Sequence, residues 1–402
     1  MKTPLAWAMA LLPCGTALAA PDLGALSWRM DVLAYRQATQ TRADGVFQRV
    51  AAQPDPLWDT ELRPDLAWRA EPWDAALRPR LALVNQSAAT HVDSWLNEGW
   101  MRWRPVAGVS LQAGREALLW GPSMFWNPSN PFFMDNNKNN PKREIAGKDF
   151  VRARWQATPD LALSAIGQVG RGPRAAGAQR MEGFKLDWTG EAASAAAIVA
   201  AEPGRAPSWQ GWAQWTATDA WLLYGEWAWR RGAAHAVPRA SDGTTGWDVM
   251  TSHADRGLQM VAGLSYTFDN SWTLHAEYWH NGNGLNDAEA GAVARAATAL
   301  ATQPRGAADR QLGLLLDQPI PLRRNYAGLQ LSGGQDATFG WTVRLVRNLD
   351  DGGTEGVVML NLDAGERAQL WLNLMHRVGT ATSEYGRYVQ GSAMVGITWF
   401  AH

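Results

Sequence analysis

What most constrains the fold of this chain is a repeated alternation of apolar and polar residues. It runs through eighteen stretches, at 27–36, 61–70, 75–84, 94–104, 107–116, 147–157, 160–169, 180–189, 192–201, 208–217, 220–230, 255–267, 271–281, 323–332, 337–348, 355–363, 366–377 and 388–400. Period-2 alternation marks strands with two unlike faces. In 271–281, Trp272, Leu274, Ala276 and Tyr278 share one face, and Thr273, His275 and Glu277 the other. In 366–377, Leu370, Leu372 and Leu374 alternate with Trp371, Asn373 and Met375.

The connections alternate too. Those after even-numbered strands are short and rich in turn formers: Glu71-Pro72-Trp73, Pro105-Val106, Pro159, Gly190-Glu191, Thr218-Asp219, Asp269-Asn270, Gly333 to Asp336 and Ala364-Gly365. Those after odd-numbered strands include the long segments 37–60, 117–146, 231–254 and 282–322. An even strand count, short turns at one end, long loops at the other and both termini on the short-turn side predict an all-β, antiparallel transmembrane β-barrel. Eighteen strands are expected, with sixteen the alternative. Most are close to the ten or so residues with which a tilted strand crosses a bilayer.

Composition fits this reading. The mean hydropathy of −0.28 suits a soluble protein, but a barrel turns only alternate residues to lipid. The 24 Trp are in excess, as expected where rings sit at both membrane interfaces. A secreted carbohydrate-binding β-sandwich or propeller also uses many strands and Trp, but the sequence shows no repeat of blade length.

Residues 1–20 read as a cleaved secretory signal, with Lys2, an apolar stretch from Leu5 to Leu12, and Ala17-Leu18-Ala19 before the cut. This leaves 21–402 as one barrel domain. The apolar stretch is too short to anchor the chain. Lipoprotein processing at Cys14 is disfavoured by Pro13. Cys14 is the only cysteine, so disulfides and thiolate metal sites are excluded from the mature chain. Without Lys2, 36 basic residues face 38 acidic ones, a formal charge of −2, and no basic field points to nucleic acid.

Assigning the less apolar face of each strand to the lumen places Arg63, Arg69, Arg78, Arg80, Arg102, Arg104, Arg152 and Arg154 there, with fewer carboxylates, chiefly Glu61, Asp65 and Glu98. Two readings stand side by side. The arginines form a basic wall that focuses its field on anions, or they pair with acidic residues on neighbouring strands.

The segment 117–146 holds Trp120, Phe125, Trp126, Asn127, Phe132 and Phe133, too many rings for a freely solvated loop. Pro122, Pro128, Pro131 and Pro141 make it a poor strand. The expectation is a constriction loop that folds inward and narrows the lumen; a cap over the barrel mouth is the alternative. In 282–322, Asn286 and Glu289 predict a capping box opening a helix to about Ala301, lying against the mouth or entering it.

His91, His235, His253, His275, His280, His376 and His402 show no metal-ligand spacing, and no serine has a nucleophile signature. Neither an enzyme, a metal nor a cofactor is therefore expected.

Three groups of residues carry a resemblance. Gly114-Arg115-Glu116 followed by Trp120-Gly121 and Asn127-Pro128 resembles a group of proteobacterial outer-membrane barrels in which a G-R-x strand leads into a W-G…N-P loop. Arg324-Asn325-Tyr326, Asn348-Leu349-Asp350-Asp351-Gly352 and Ser383-Glu384-Tyr385-Gly386 resemble the C-terminal half of that group, and the matches span roughly 110 to 390. Gly396 to His402 resembles the aromatic last strand read by the barrel-assembly machinery, with Ala401 and His402 displacing the usual terminal Phe. The resemblance implies a porin-like barrel of the outer membrane, whose partners are membrane lipids, the assembly machinery and a solute. The function expected first is passive passage of small polar, preferentially anionic solutes. Export or surface assembly of an acidic polysaccharide, as in alginate-export and capsule-assembly barrels, is the alternative.

Overall fold

A computed structural model describes residues 24–51, 57–86, 89–133, 142–172, 174–175, 177–231, 234–241, 246–253, 256–317, 321–333 and 338–401. The predicted signal peptide with Cys14, the turn residues 334–336 and His402 lie outside these. The strands are β1 (Ala25–Thr41), β2 (Leu57–Ala70), β3 (Trp73–Gln86), β4 (Ala89–Val106), β5 (Val109–Glu116), β6 (Lys148–Thr158), β7 (Leu161–Gly170), β8 (Met181–Thr189), β9 (Ala193–Ala201), β10 (Ser208–Thr216) and β11 (Trp221–Arg231). They continue with β12 (Ala234–Ala240), β13 (Trp247–His253), β14 (Arg256–Thr267), β15 (Thr273–Asn281), β16 (Asn325–Gly333), β17 (Phe339–Asn348), β18 (Thr354–Asp363), β19 (Ala368–Val378) and β20 (Val389–Ala401). Eighteen form one antiparallel sheet, and β12 and β13 form a separate hairpin.

The sheet closes on itself. β1 pairs with β2 on one side and with β20 on the other, in register Val32↔Trp399 and Ala38↔Ala393. Closure leaves no unpaired edge. Each expected strand has its counterpart in the barrel, and both Ala25 and Ala401 stand at the short-turn end.

The alternation sorts the faces as expected. Leu370 is 45% exposed on the outside and its neighbour Trp371 only 4% exposed inside. Directly paired residues share a face, so Val343, Val358, Leu374 and Ala393 make one outward apolar row across four strands. Exposed rings gather near the short-turn end, among them Trp73, Trp103, Trp155, Trp188, Trp215 and Trp221, with Trp58, Trp209 and Trp229 near the long-loop end. A ring that is apolar along its body and carries an N–H suits a level where apolar and wet surroundings meet.

At the long-loop end lies a second, smaller core that strand periodicity does not reveal. Helix α1 (Asp287–Thr302) starts on the expected capping box, Glu289 N donating to Asn286 Oδ1 at 2.9 Å and Asn286 N to Glu289 Oε2 at 2.8 Å. Helix α2 (Ala307–Leu316) was not expected. Its Leu312 and Leu315 pack with Leu300, Val293 and Phe47, against which Trp247 and Val249 of β13 also lie. Arg49 ties this cap together: its Nη1 donates to Ala301 O and Gln303 O at 3.1 and 2.7 Å, and its Nε lies 2.6 Å from Asp309 Oδ1.

Candidate functional site: the lumen and its inward loop

On the first-half wall most of the predicted arginines pair with carboxylates. Arg80, whose side chain is 1% exposed, sits between Asp65 at 2.8 Å and Glu144 at 2.6 Å. Arg78 holds Glu98 at 3.0 Å, Arg63 holds Glu61 at 2.7 Å, and Arg152 lies 3.1 Å from Glu116. Arg102 and Arg104 share Asp74. Arg154 donates to the neutral Gln156 at 3.1 Å. Of the two readings of this wall, pairing describes most of these contacts, across neighbouring strands for Arg78, Arg80, Arg102, Arg104 and Arg152, within β2 for Arg63 and to the loop for Glu144: a guanidinium buried in the wall needs a carboxylate or carbonyl for its donors. Burial alone raises the pKa of the Glu144 carboxyl, in the loop, but the hydrogen bond and charge of Arg80, with Arg63 and Arg78 nearby, hold it below the usual carboxylate range.

A register shift adds an inward group that alternation does not foresee. Arg78 pairs with Glu98 and Pro79 with Leu96, leaving Asn97 as the extra residue of a bulge. Asn97 then reaches the base of the 117–147 segment, its Nδ2 donating to Ile145 O at 3.2 Å and its carbonyl accepting Gly147 N at 3.2 Å.

The aromatic segment folds into the lumen, as expected. From β5 it crosses to β11 and β15, although β6 to β10 lie between β5 and β11 along the wall and β14 lies beyond β11. Ser123 N and Ser129 N donate to the two oxygens of Glu226 at 2.8 and 3.2 Å. Met124 N and Phe125 N donate to those of Glu277, the second at 3.2 Å. Phe125 stacks on Trp279 at 5.8 Å, and Trp279 on Tyr326 at 5.2 Å. Phe132 meets Phe150 edge to face at 5.3 Å and Trp120 at 5.9 Å.

Polar side chains shape the loop from within. Asn130 Nδ2 donates to Leu118 O at 2.8 Å, and its Oδ1 accepts Phe132 N and Phe133 N, both at 3.0 Å. Asn127 Nδ2 donates to Trp120 O, and Ser129 Oγ to Asn127 Oδ1 at 3.1 Å. Asn127 is fully buried, so it acts on the loop's own turn and does not face the passage.

Between the loop and the long-loop end lies a cavity of about 1370 Å³. Of the predicted lumen residues Arg63 and Glu61 line it, with Trp126, Phe132 and Phe133 from the loop. Its other cations are Lys142, Arg143, Lys148, Arg174, Arg205, Arg230 and Arg231, against the carboxylates Glu61, Glu144 and Glu202. Lys148 and Arg230 lie on strands, where facing parity points to them. Lys142 and Arg174 lie in loops, where no periodicity says which way a side chain points. Burial, then the nearby Arg63 charge, lowers the Lys142 ammonium to about 8.

The C-terminal motif residues meet around one buried carboxylate. Glu384 accepts Leu322 N at 3.3 Å, the Tyr326 hydroxyl at 2.5 Å and Asn348 Nδ2 at 3.0 Å. Asp351 Oδ2 accepts Glu384 N at 2.9 Å, while Asp350 accepts Arg324 N at 2.7 Å and Asn325 N at 2.9 Å. These motifs therefore set the loops at the mouth.

No protein-family model and no curated protein sequence matches the chain. Solved structures do. The chain is similar to Pseudomonas aeruginosa OpdL (TM-score 0.56, 11% identity, 94% of this chain and 98% of that one). It is also similar to OccK5 of the same organism (0.54, 9%, 93% and 97%) and to OprD (0.52, 8%, 93% and 95%). With so little identity the likeness is one of fold, and it extends over nearly the whole of each chain: this protein shares the fold of those barrels and closes its own with eighteen strands.

Proposed function

We propose that the barrel is an outer-membrane channel for passive passage of small polar solutes, with a preference for anions. The observation behind this reading is the lumenal cavity, where eight cations, Arg63 among them, face three carboxylates. In a passage walled by protein, such an excess attracts anions and repels cations. The paired arginines nearer the short-turn end contribute less, because Glu98, Asp74 and Glu116 offset them. The likeness in fold to OpdL, OccK5 and OprD supports the channel part of this reading and does not bear on the preference for anions.

Membrane placement has its own test. Leu374→Arg puts a charge in the outward apolar row and is expected to cost about 2–4 kcal/mol if that row lies near the bilayer midplane, read from equilibrium refolding into lipid bilayers. A variant as stable as the wild type contradicts the placement.

Selectivity is read from reversal potentials in planar bilayers under a potassium chloride gradient. The expected sign is that of chloride preference. Lys142 is charged below about 8 and neutral above, so the preference is expected to fall as pH rises through that value. Lys142→Gln is expected to flatten that fall. A closed barrel, or one that prefers potassium, overturns the reading.

A further inference from the structure

We infer that Glu226 and Glu277 are positioning residues of the channel: together they latch the inward loop across the lumen and so fix the bore of the pore. The inference rests on the channel reading above.

The geometry is specific to carboxylates. Glu226 is 2% exposed and Glu277 4%, and the Arg344 guanidinium, which lies over the Phe125 ring, is near enough for its charge to act on Glu277. Their charges are met by hydrogen-bond donors: Ser123 N and Ser129 N on Glu226, and Met124 N and Phe125 N on Glu277. The Tyr224 hydroxyl, from the wall, also donates to Glu277 Oε1 at 2.9 Å and helps to hold that side chain in place. A carboxylate offers an acceptor at both oxygens, so each glutamate holds two loop amides.

The loop is built to meet them. Gly121 takes φ +92°, and a Cβ there would lie 2.5 Å from Glu226 Oε1. Only glycine lets the backbone turn this close over the carboxylate. Pro122 and Pro128 stand directly before and shortly after the Ser123 to Phe125 contacts, stiffening the span between the two attachments. The attachment points lie on β11 and β15, across the lumen from the loop's own strands, so releasing them frees the part of the loop that crosses the passage.

The test is the isosteric pair Glu226→Gln and Glu277→Gln. A glutamine turns an NH2 group toward one of the two amides, donor against donor, while keeping the side-chain volume. In barrels whose heat-modifiable gel mobility shows that they are folded, the double variant is expected to conduct several-fold more and to admit larger polyethylene glycols in a polymer-exclusion series. An unchanged exclusion size overturns the latch.

A second readout does not need conduction. In a background lacking Cys14, a thiol placed by Ser129→Cys is expected to resist a water-soluble maleimide when both glutamates are present and to react rapidly in the double glutamine variant. Equal protection in both overturns the latch. If the wild type does not conduct but the thiol is released, the latch stands and the channel reading fails. Should the glutamine variants not fold, Ser123→Pro removes one loop donor and leaves the wall untouched. It is expected to shift both readouts in the same direction, and failure to do so overturns the proposal.

Discussion

Deleting residues 120–143 is expected to raise the single-channel conductance several-fold and to weaken anion preference. The segment crosses the lumen to β11 and β15, where its amides rest on Glu226 and Glu277, and ion flow through a narrow passage is set by the bore. The deletion also removes Lys142 and Arg143 from the cavity lining. The barrel tolerates the change on geometric grounds. Glu116 pairs directly with Lys148, so residues 117–119 and 144–147 close an ordinary hairpin loop. The cost is local, because Glu226 and Glu277 then face water in the lumen, where a carboxylate is well solvated. Planar-bilayer recordings of both forms decide the matter. Equal conductance means that the loop is no constriction, and silence from both forms removes the channel reading altogether.

Replacing Glu384 by Ala is expected to have the largest effect on the order of the mouth. Three donors converge on that carboxylate: Leu322 N, the Tyr326 hydroxyl and Asn348 Nδ2. Burial pushes its pKa up, with the Tyr326 hydrogen bond and the Arg387 charge opposing. Each donor left buried without a partner costs roughly 1–3 kcal/mol, so several kcal/mol fall on the loops that meet there. The expected outcome is faster proteolysis and hydrogen exchange in 321–324, 349–353 and 379–388, while the folded barrel keeps its heat-modifiable mobility. Glu384→Gln, which keeps an acceptor oxygen, should give a smaller change. A protease profile identical to the wild type would show that the carboxylate does not organise the mouth.

Much of the fold was legible because its causes are local. A strand in a closed barrel has one apolar and one polar face whatever its neighbours, so alternation at Leu370 to Met375 or at Trp272 to Tyr278 appears in the linear sequence. The capping box at Asn286 and Glu289 was legible for the same reason, since both partners lie within one turn of helix. The need to cover the aromatic loop was legible, because Phe125, Trp126, Phe132 and Phe133 require apolar surroundings, but the choice between an inward course and a cap over the mouth belonged to the tertiary structure.

The candidate site was legible only in part. The sequence leaves a basic wall and paired arginines side by side, and the structure pairs Arg78, Arg80, Arg102 and Arg152 with Glu98, Asp65, Asp74, Glu116 and Glu144. Pairing of this kind depends on register, and the bulge at Asn97 shifts the register within β4. Helix α2 and the β12–β13 hairpin were not legible in the sequence because both are short and owe their stability to the shared core with Phe47 and Leu300. Glu277 could be placed inside by parity, but nothing in its own strand says that it receives a loop inserted more than a hundred residues earlier.

By itself, then, the sequence determined the position of the barrel strands, the parity of turns and loops, the apolar and polar faces, and the need to bury the aromatic loop, because periodicity and turn chemistry act between near neighbours. Only the tertiary structure decided which cations remain in excess around the cavity, where the loop is fastened and how the mouth motifs converge on Glu384. Those outcomes depend on contacts between residues far apart in the chain, which exist only once the barrel has closed.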